Sequence, residues 1–135
     1  MHPYKHIERS IAKYIIDHYS NVIEVGVGSN FETAREIAAA GCQIFCTDIK
    51  DVSNRSGVHL IIDDIFNPRD GLYDRAELIF AIRPGIEMVP ALLALAKRIN
   101  SDLLVYHPGD ELYGDGGTII DCGVALHRYH TKKQF

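Results

Sequence analysis

The sequence predicts an α/β fold, a three-layer sandwich around a mainly parallel sheet with antiparallel C-terminal strands. Three observations carry that expectation. Short β-branched runs alternate with amphipathic segments from Pro3 to His107. At Val22–Asn30 a strand, two glycines and a helix start follow one another without a gap. Beyond Pro108 the helical pattern stops, and the last two strands lie too close for the crossover that parallel neighbours need. The 135 residues read as a single domain, 1–135.

Each element has a local reason. Ile7, Ile11, Tyr14, Ile15 and Tyr19 recur at helical spacing, predicting a helix over Pro3 to Tyr19 with His6, Glu8, Arg9, Lys13 and Asp17 between the apolar positions. Val22 to Val25 is the first strand, ending in Gly26 and Gly28. Asn30 to Ala40 reads as a helix, with Ser29 or Asn30 as N-cap and Gly41 at its end. Gln43 to Asp48 is the second strand, 50–57 a loop, and Val58 to Ile62 the third strand, closed by Asp63 and Asp64. Asn67 to Gly71 is turn chemistry. Ala76 to Ile82 is the fourth strand, Ile86 to Ile99 a helix with Pro90 in its first turns, and Leu103 to His107 the fifth strand. Pro108 to Gly117 is an acidic, glycine-rich loop, and Thr118–Asp121 and Val124–Tyr129 are paired antiparallel. His127 and Tyr129 then share one face of an exposed edge strand, and Lys132 to Phe135 is a tail.

Composition narrows the function. A net charge of −4 gives no support to nucleic-acid binding, which needs a basic surface. The three cysteines, Cys42, Cys46 and Cys122, form no disulfide framework, and Cys42 and Cys46 read as small core residues in a reducing cytoplasm. No apolar run spans a membrane. His2 and His6 read as solvated side chains, and no metal site is expected. A monomer or a weak homo-oligomer is expected.

In a parallel α/β sheet, ligands sit beyond the C-terminal strand ends. Here those ends carry Gly26 and Gly28, Asp48, Asp63 and Asp64, and Arg83. Backbone can approach a ligand closely at the glycines. A carboxylate after the second strand can accept both hydroxyls of a ribose, and one after the third can accept an adenine amino group. Ile49 or Ile65 could flank the ring, and Glu24 places an acid at the lip of the turn.

Glu24-x-Gly26-x-Gly28, followed by Asp48 and then Asp64, resembles the S-adenosylmethionine-binding motifs of class I methyltransferases. The resemblance implies a reduced, methyltransferase-like, Rossmann-like sandwich with S-adenosylmethionine as cofactor. By it, Glu24 would sit near the methionine amino group, Gly26 and Gly28 would line the methionine end, Asp48 would bind ribose, and Asp63 or Asp64 would face adenine. The whole chain also resembles a small archaeal family of uncharacterised Rossmann-fold proteins, the UPF0146 type, through Val22–Asn30, Thr47–Ile49, Ile62–Ile65 and Ala81–Pro84.

The chain departs from the methyltransferase pattern in two places. Asn30 stands where a third glycine is usual, and Ala81-Ile82-Arg83-Pro84 replaces the acid or amide expected after the fourth strand. Phe31 stands where a dinucleotide turn needs glycine, which ranks NAD below S-adenosylmethionine. A non-catalytic binding or assembly module is the other alternative. Arg83 is either a substrate anchor or a partner of Asp63 or Asp64, and His107 and Asp110 are the acid/base candidates.

Overall fold

The computed structural model describes residues 3–52 and 54–134, with only the backbone of 3–5. His2, half of the histidine pair, lies outside the described residues. The chain forms α1 (Pro3–His18), β1 (Asn21–Val25), α2 (Glu32–Ala39), β2 (Gln43–Asp48) and β3 (Leu60–Ile62). It continues with β4 (Leu78–Ile82), a 3₁₀ turn (Ile86–Met88), α3 (Val89–Ile99), β5 (Asp102–Tyr106), β6 (Thr118–Asp121) and β7 (Ala125–His130).

The strands make one seven-stranded sheet in the order β3-β2-β1-β4-β5-β7-β6. β1 to β5 are mutually parallel. β7 runs antiparallel to both β5 and β6, as the short connection after β5 predicts. β7 is nevertheless an interior strand, with β6 at the edge, so the expected exposed edge at His127–Tyr129 is corrected. His127 is buried, with its Nδ1 2.8 Å from the Gly116 carbonyl and its ring against His107 and Tyr129.

Alternation along the strands sorts the core into two faces. Val22, Leu78, Phe80, Leu104 and Leu126 face Ile11 and Ile15 of α1 and Ile37 of α2. Ile23, Val25, Ile79, Ala81, Leu103 and Val105 face Leu92, Leu95 and Ala96 of α3, together with Ile65 and Tyr73. That is the three-layer sandwich. A smaller cluster of Val27, Phe31, Ala34, Cys46 and Val58 closes the β2–β3 end, so Phe31 is a core residue.

Several boundaries differ from expectation for local reasons. α2 begins at Glu32 and not at Asn30, because Asn30 Oδ1 accepts the Glu32 N–H at 3.1 Å in a turn that precedes the helix. β3 loses Val58 and His59, because Asn54 Nδ2 donates to the Val58 carbonyl and the Val58 N–H donates to Ser56 Oγ. β4 starts at Leu78 because the Ala76 N–H closes a turn on the Tyr73 carbonyl. Pro90 sits at the start of α3, where its missing N–H costs nothing. Among the described residues no helix is long and apolar enough to cross a membrane.

Candidate functional site

The glycine turn is stitched to β2. The N–H groups of Gly26 and Val27 both donate to the Thr47 carbonyl, at 2.8 and 3.1 Å. Gly26 and Gly28 have φ of +70° and +61°, which L side chains rarely adopt. A Cβ on Gly26 would also press on Met88 at 3.2 Å. The Gly28 N–H donates to Asp48 Oδ2 at 2.8 Å, and the Lys50 N–H donates to Asp48 Oδ1 at 3.0 Å. Asp48 thus braces the glycine turn through Oδ2 and the loop after β2 through Oδ1, and each oxygen keeps a further lone pair at the cleft. Asn30 does not use the left-handed backbone that its type tolerates. Among the described residues only Arg83 and Asn100 do so without being glycine.

Above this turn is a cleft of about 250 Å³. Gly26, Asp48, Ile49, Asp63, Asp64 and Arg83 all line it, so most of the predicted residues converge. Neither Phe31 nor any residue of 108–117 lines it. Ile49 and Phe66 are 62% and 61% exposed beside it, an unusual placement for large apolar side chains. Ile65, Pro84, Gly85 and Met88 complete the wall. Phe66 and Met88 escaped the sequence reading. Phe66 is a lone aromatic before a turn, and Met88 sits on a helix start with no signal of its own.

Asp63 is held rigidly. Tyr73 Oη donates to its Oδ2 at 2.6 Å, and the Arg69 N–H donates to Oδ1 at 3.1 Å. Burial and the Asp63 hydrogen bond push the Tyr73 hydroxyl well up, so it stays a donor. Tyr73→Phe is expected to cost about 1.5 kcal/mol, the scale of a hydrogen bond to a charged group, in urea unfolding. Asp64 Oδ1 accepts the Phe66 N–H at 2.9 Å and so sets the position of that ring's backbone.

Glu24 lies beneath the turn and not at its lip. The pleat turns its side chain to the α1–α2 face, where it is 2% exposed. There it meets Glu8 of α1, also 2% exposed, which the helical pattern placed among the solvated positions. Glu8 Oε1 accepts from Arg83 Nη1 at 2.8 Å, and Glu8 Oε2 accepts from Thr33 Oγ1 at 2.9 Å. Arg83 therefore pairs with α1 and not with Asp63 or Asp64, while its guanidinium lies 5.3 Å over the Tyr106 ring. Glu24 Oε1 is buried with no hydrogen-bond partner among the described residues.

Burial, then the neighbouring Glu8, raises the Glu24 carboxyl well above its ordinary value of 4.5. The folded chain thus keeps a proton that the unfolded chain releases. Stability from this group is complete below the ordinary carboxylate range and is lost as pH rises through the folded value. Glu24→Gln, which cannot ionise, is expected to be more stable than the natural chain at pH 8 and to show no such gain at pH 4, read by urea unfolding at both.

The remaining candidates lie elsewhere. Asn30 lines a separate polar depression with Ser29, Arg35 and Arg55. His107 is buried at the end of β5, with Tyr129 and His127 as neighbours. Asp110 is exposed on the loop. Among the described residues no group of three or more His, Cys, Asp and Glu side chains could hold a metal ion.

Solved structures share this fold. The methyltransferase CcbJ of Streptomyces caelestis matches with a TM-score of 0.55 at 15% identity, over 78% of this chain and 52% of its own. An S-adenosyl-L-methionine methyl transferase from Silicibacter pomeroyi gives 0.55 at 18% identity, over 93% and 91%. Human N-acetylserotonin methyltransferase, solved with SAM, gives 0.54 at 20% identity over 73% of this chain and 32% of its own. The chain thus spans about half of the first and a third of the last. At these identities the likeness is one of fold. In sequence, a UPF0146 protein of Archaeoglobus fulgidus is 32% identical over 106 residues, covering 78% of each chain. One from Pyrococcus horikoshii is 35% identical over 113 residues, covering 80% of this chain and 86% of its own. Residues 8–120 match the profile of the uncharacterised protein family UPF0146, and the chain belongs to that family.

Proposed function

We propose that the cleft binds S-adenosylmethionine and that the protein is a methyltransferase-like cofactor-binding domain. The observation that carries this reading is the position of Asp48 at the end of β2. Its carboxylate braces the glycine turn and still has lone pairs facing a cleft with exposed apolar flanks.

The residues present fit the cofactor. Ile49 and Phe66 offer apolar faces to a purine, Asp63 and Asp64 offer acceptors at the end of β3, and Asp48 offers acceptors to ribose hydroxyls. Gly26 lines the cleft floor with no side chain to fill it. The volume sits just under the roughly 300–1,000 Å³ of enclosed small-molecule sites, as suits a cleft that covers the nucleoside and leaves the other end at its mouth. When bound, the cofactor supplies an electrophilic methyl group. The chain's residues bind and orient it, and Arg83 at the rim is a group for an anionic part of a ligand.

Isothermal titration with S-adenosylmethionine, S-adenosylhomocysteine and NAD tests the reading. Saturable binding of the first two, with NAD silent, is the expected result. No heat from either sulfur compound at millimolar concentration overturns it.

A further inference from the structure

Residues 108–115 are exposed along the C-terminal end of β5, and the loop is tied to the sheet at two points. The Tyr113 N–H donates to Tyr129 Oη at 3.2 Å. Farther on, His127 Nδ1 lies 2.8 Å from the carbonyl of Gly116, a buried residue. A third contact links both anchors to β5: His107 Nε2 lies 2.7 Å from Tyr129 Oη. The His107 ring stands edge-on to His127 at 5.0 Å and to Tyr129 at 5.8 Å.

The partners assign the protons. A carbonyl only accepts, so His127 carries its hydrogen on Nδ1. Tyr129 Oη accepts from the Tyr113 N–H, and in the tautomer with Nε2 bare His107 accepts the Tyr129 hydroxyl hydrogen. A proton arriving from solvent takes the Nε2 lone pair and meets the tyrosine hydroxyl hydrogen head-on. The hydroxyl has to turn, and its hydrogen loses the imidazole as its acceptor. No covalent bond to carbon changes.

We propose that residues 108–117 form a flap latched by the Tyr129–His107 hydrogen bond, closed at neutral pH and released when His107 takes up a proton. The groups facing His107 agree with that direction. Burial and His127 of β7 disfavour its charged form and outweigh Glu111 of the loop, which favours it, so its pKa lies below the ordinary 6.5. Asp115 faces Tyr129, whose hydroxyl burial pushes up and keeps protonated. The α3-side core against which Tyr129 packs is apolar, through Leu92, Leu95 and Val105. The released form has the higher histidine pKa, so the closed state is complete above the ordinary value and is lost as pH falls below it. The latch depends on no cofactor.

Hydrogen exchange of the Tyr113 amide by NMR, corrected for the intrinsic pH dependence of exchange, tests the latch in the full chain. Protection is expected to fall between pH 7.5 and 5.5, by about tenfold for each unit separating the closed and open pKa values. Tyr129→Phe is expected to show low protection at both pH values. His107→Gln, which accepts but does not titrate, is expected to hold protection at both. Protection independent of pH in the natural chain overturns the proposal. So does the natural pH response persisting in His107→Gln, or a His107 ring titration that does not track the loop's exchange.

Discussion

Asp48→Ala is expected to weaken S-adenosylmethionine binding about 100-fold while leaving a folded protein. Two hydrogen bonds from ribose hydroxyls to a carboxylate are worth about 1.5 kcal/mol each, and about 3 kcal/mol corresponds to about two decades in Kd. The fold loses less. The N–H groups of Gly28 and Lys50 give up their acceptor, but both residues are accessible enough to take water instead. Titration calorimetry gives the affinity and urea unfolding the stability. Asp48→Asn, which keeps acceptor capacity on one atom, is expected to fall between. Unchanged affinity in Asp48→Ala, with the natural chain binding, removes Asp48 from the site without removing the cofactor.

Arg83→Met is expected to cost about 3 kcal/mol in unfolding. Its guanidinium faces Glu8, which is 2% exposed. Removing one partner of a buried ion pair typically costs about 3–5 kcal/mol, because a charge is left without compensation. The lower end applies here, since the Arg83 side chain is 28% exposed and water reaches it. Adding Glu8→Gln is expected to return part of the loss, because the orphaned charge goes with it. A double-mutant cycle in urea measures this coupling. Strict additivity of the two substitutions sinks the account of Glu8 and Arg83 as one unit.

The two predictions separate what was legible from what was not. Gly26, Asp48, Asp63 and Asp64 could be named as neighbours because each directly follows a β-branched run, and parallel strands bring such ends to one side. Helix periodicity placed Ile11 and Ile15 in the core for the same kind of reason, that the signal repeats within a few residues. Glu8 shows the limit. It occupies a position that periodicity gives to solvent, yet it is buried against an arginine 75 residues away. Glu24 shows a second limit, because strand alternation decides whether an acid near a glycine turn meets ligand or core, and the register of the pleat is set by the neighbours β2 and β4.

The sequence by itself determined the order of elements, the parallel sheet with its antiparallel end, and the strand-end acids beside the glycine turn. These follow from local periods and spacings, which the chain carries wherever it folds. Only the tertiary structure decided that Phe66 and Met88 wall the cleft, that Arg83 turns to Glu8, that Phe31 belongs to the core, and that β7 is interior, with His127 buried on it beside His107 and Tyr129. Each of these is a contact between segments far apart in sequence, chosen by packing and charge compensation and not by the pattern of neighbouring residues.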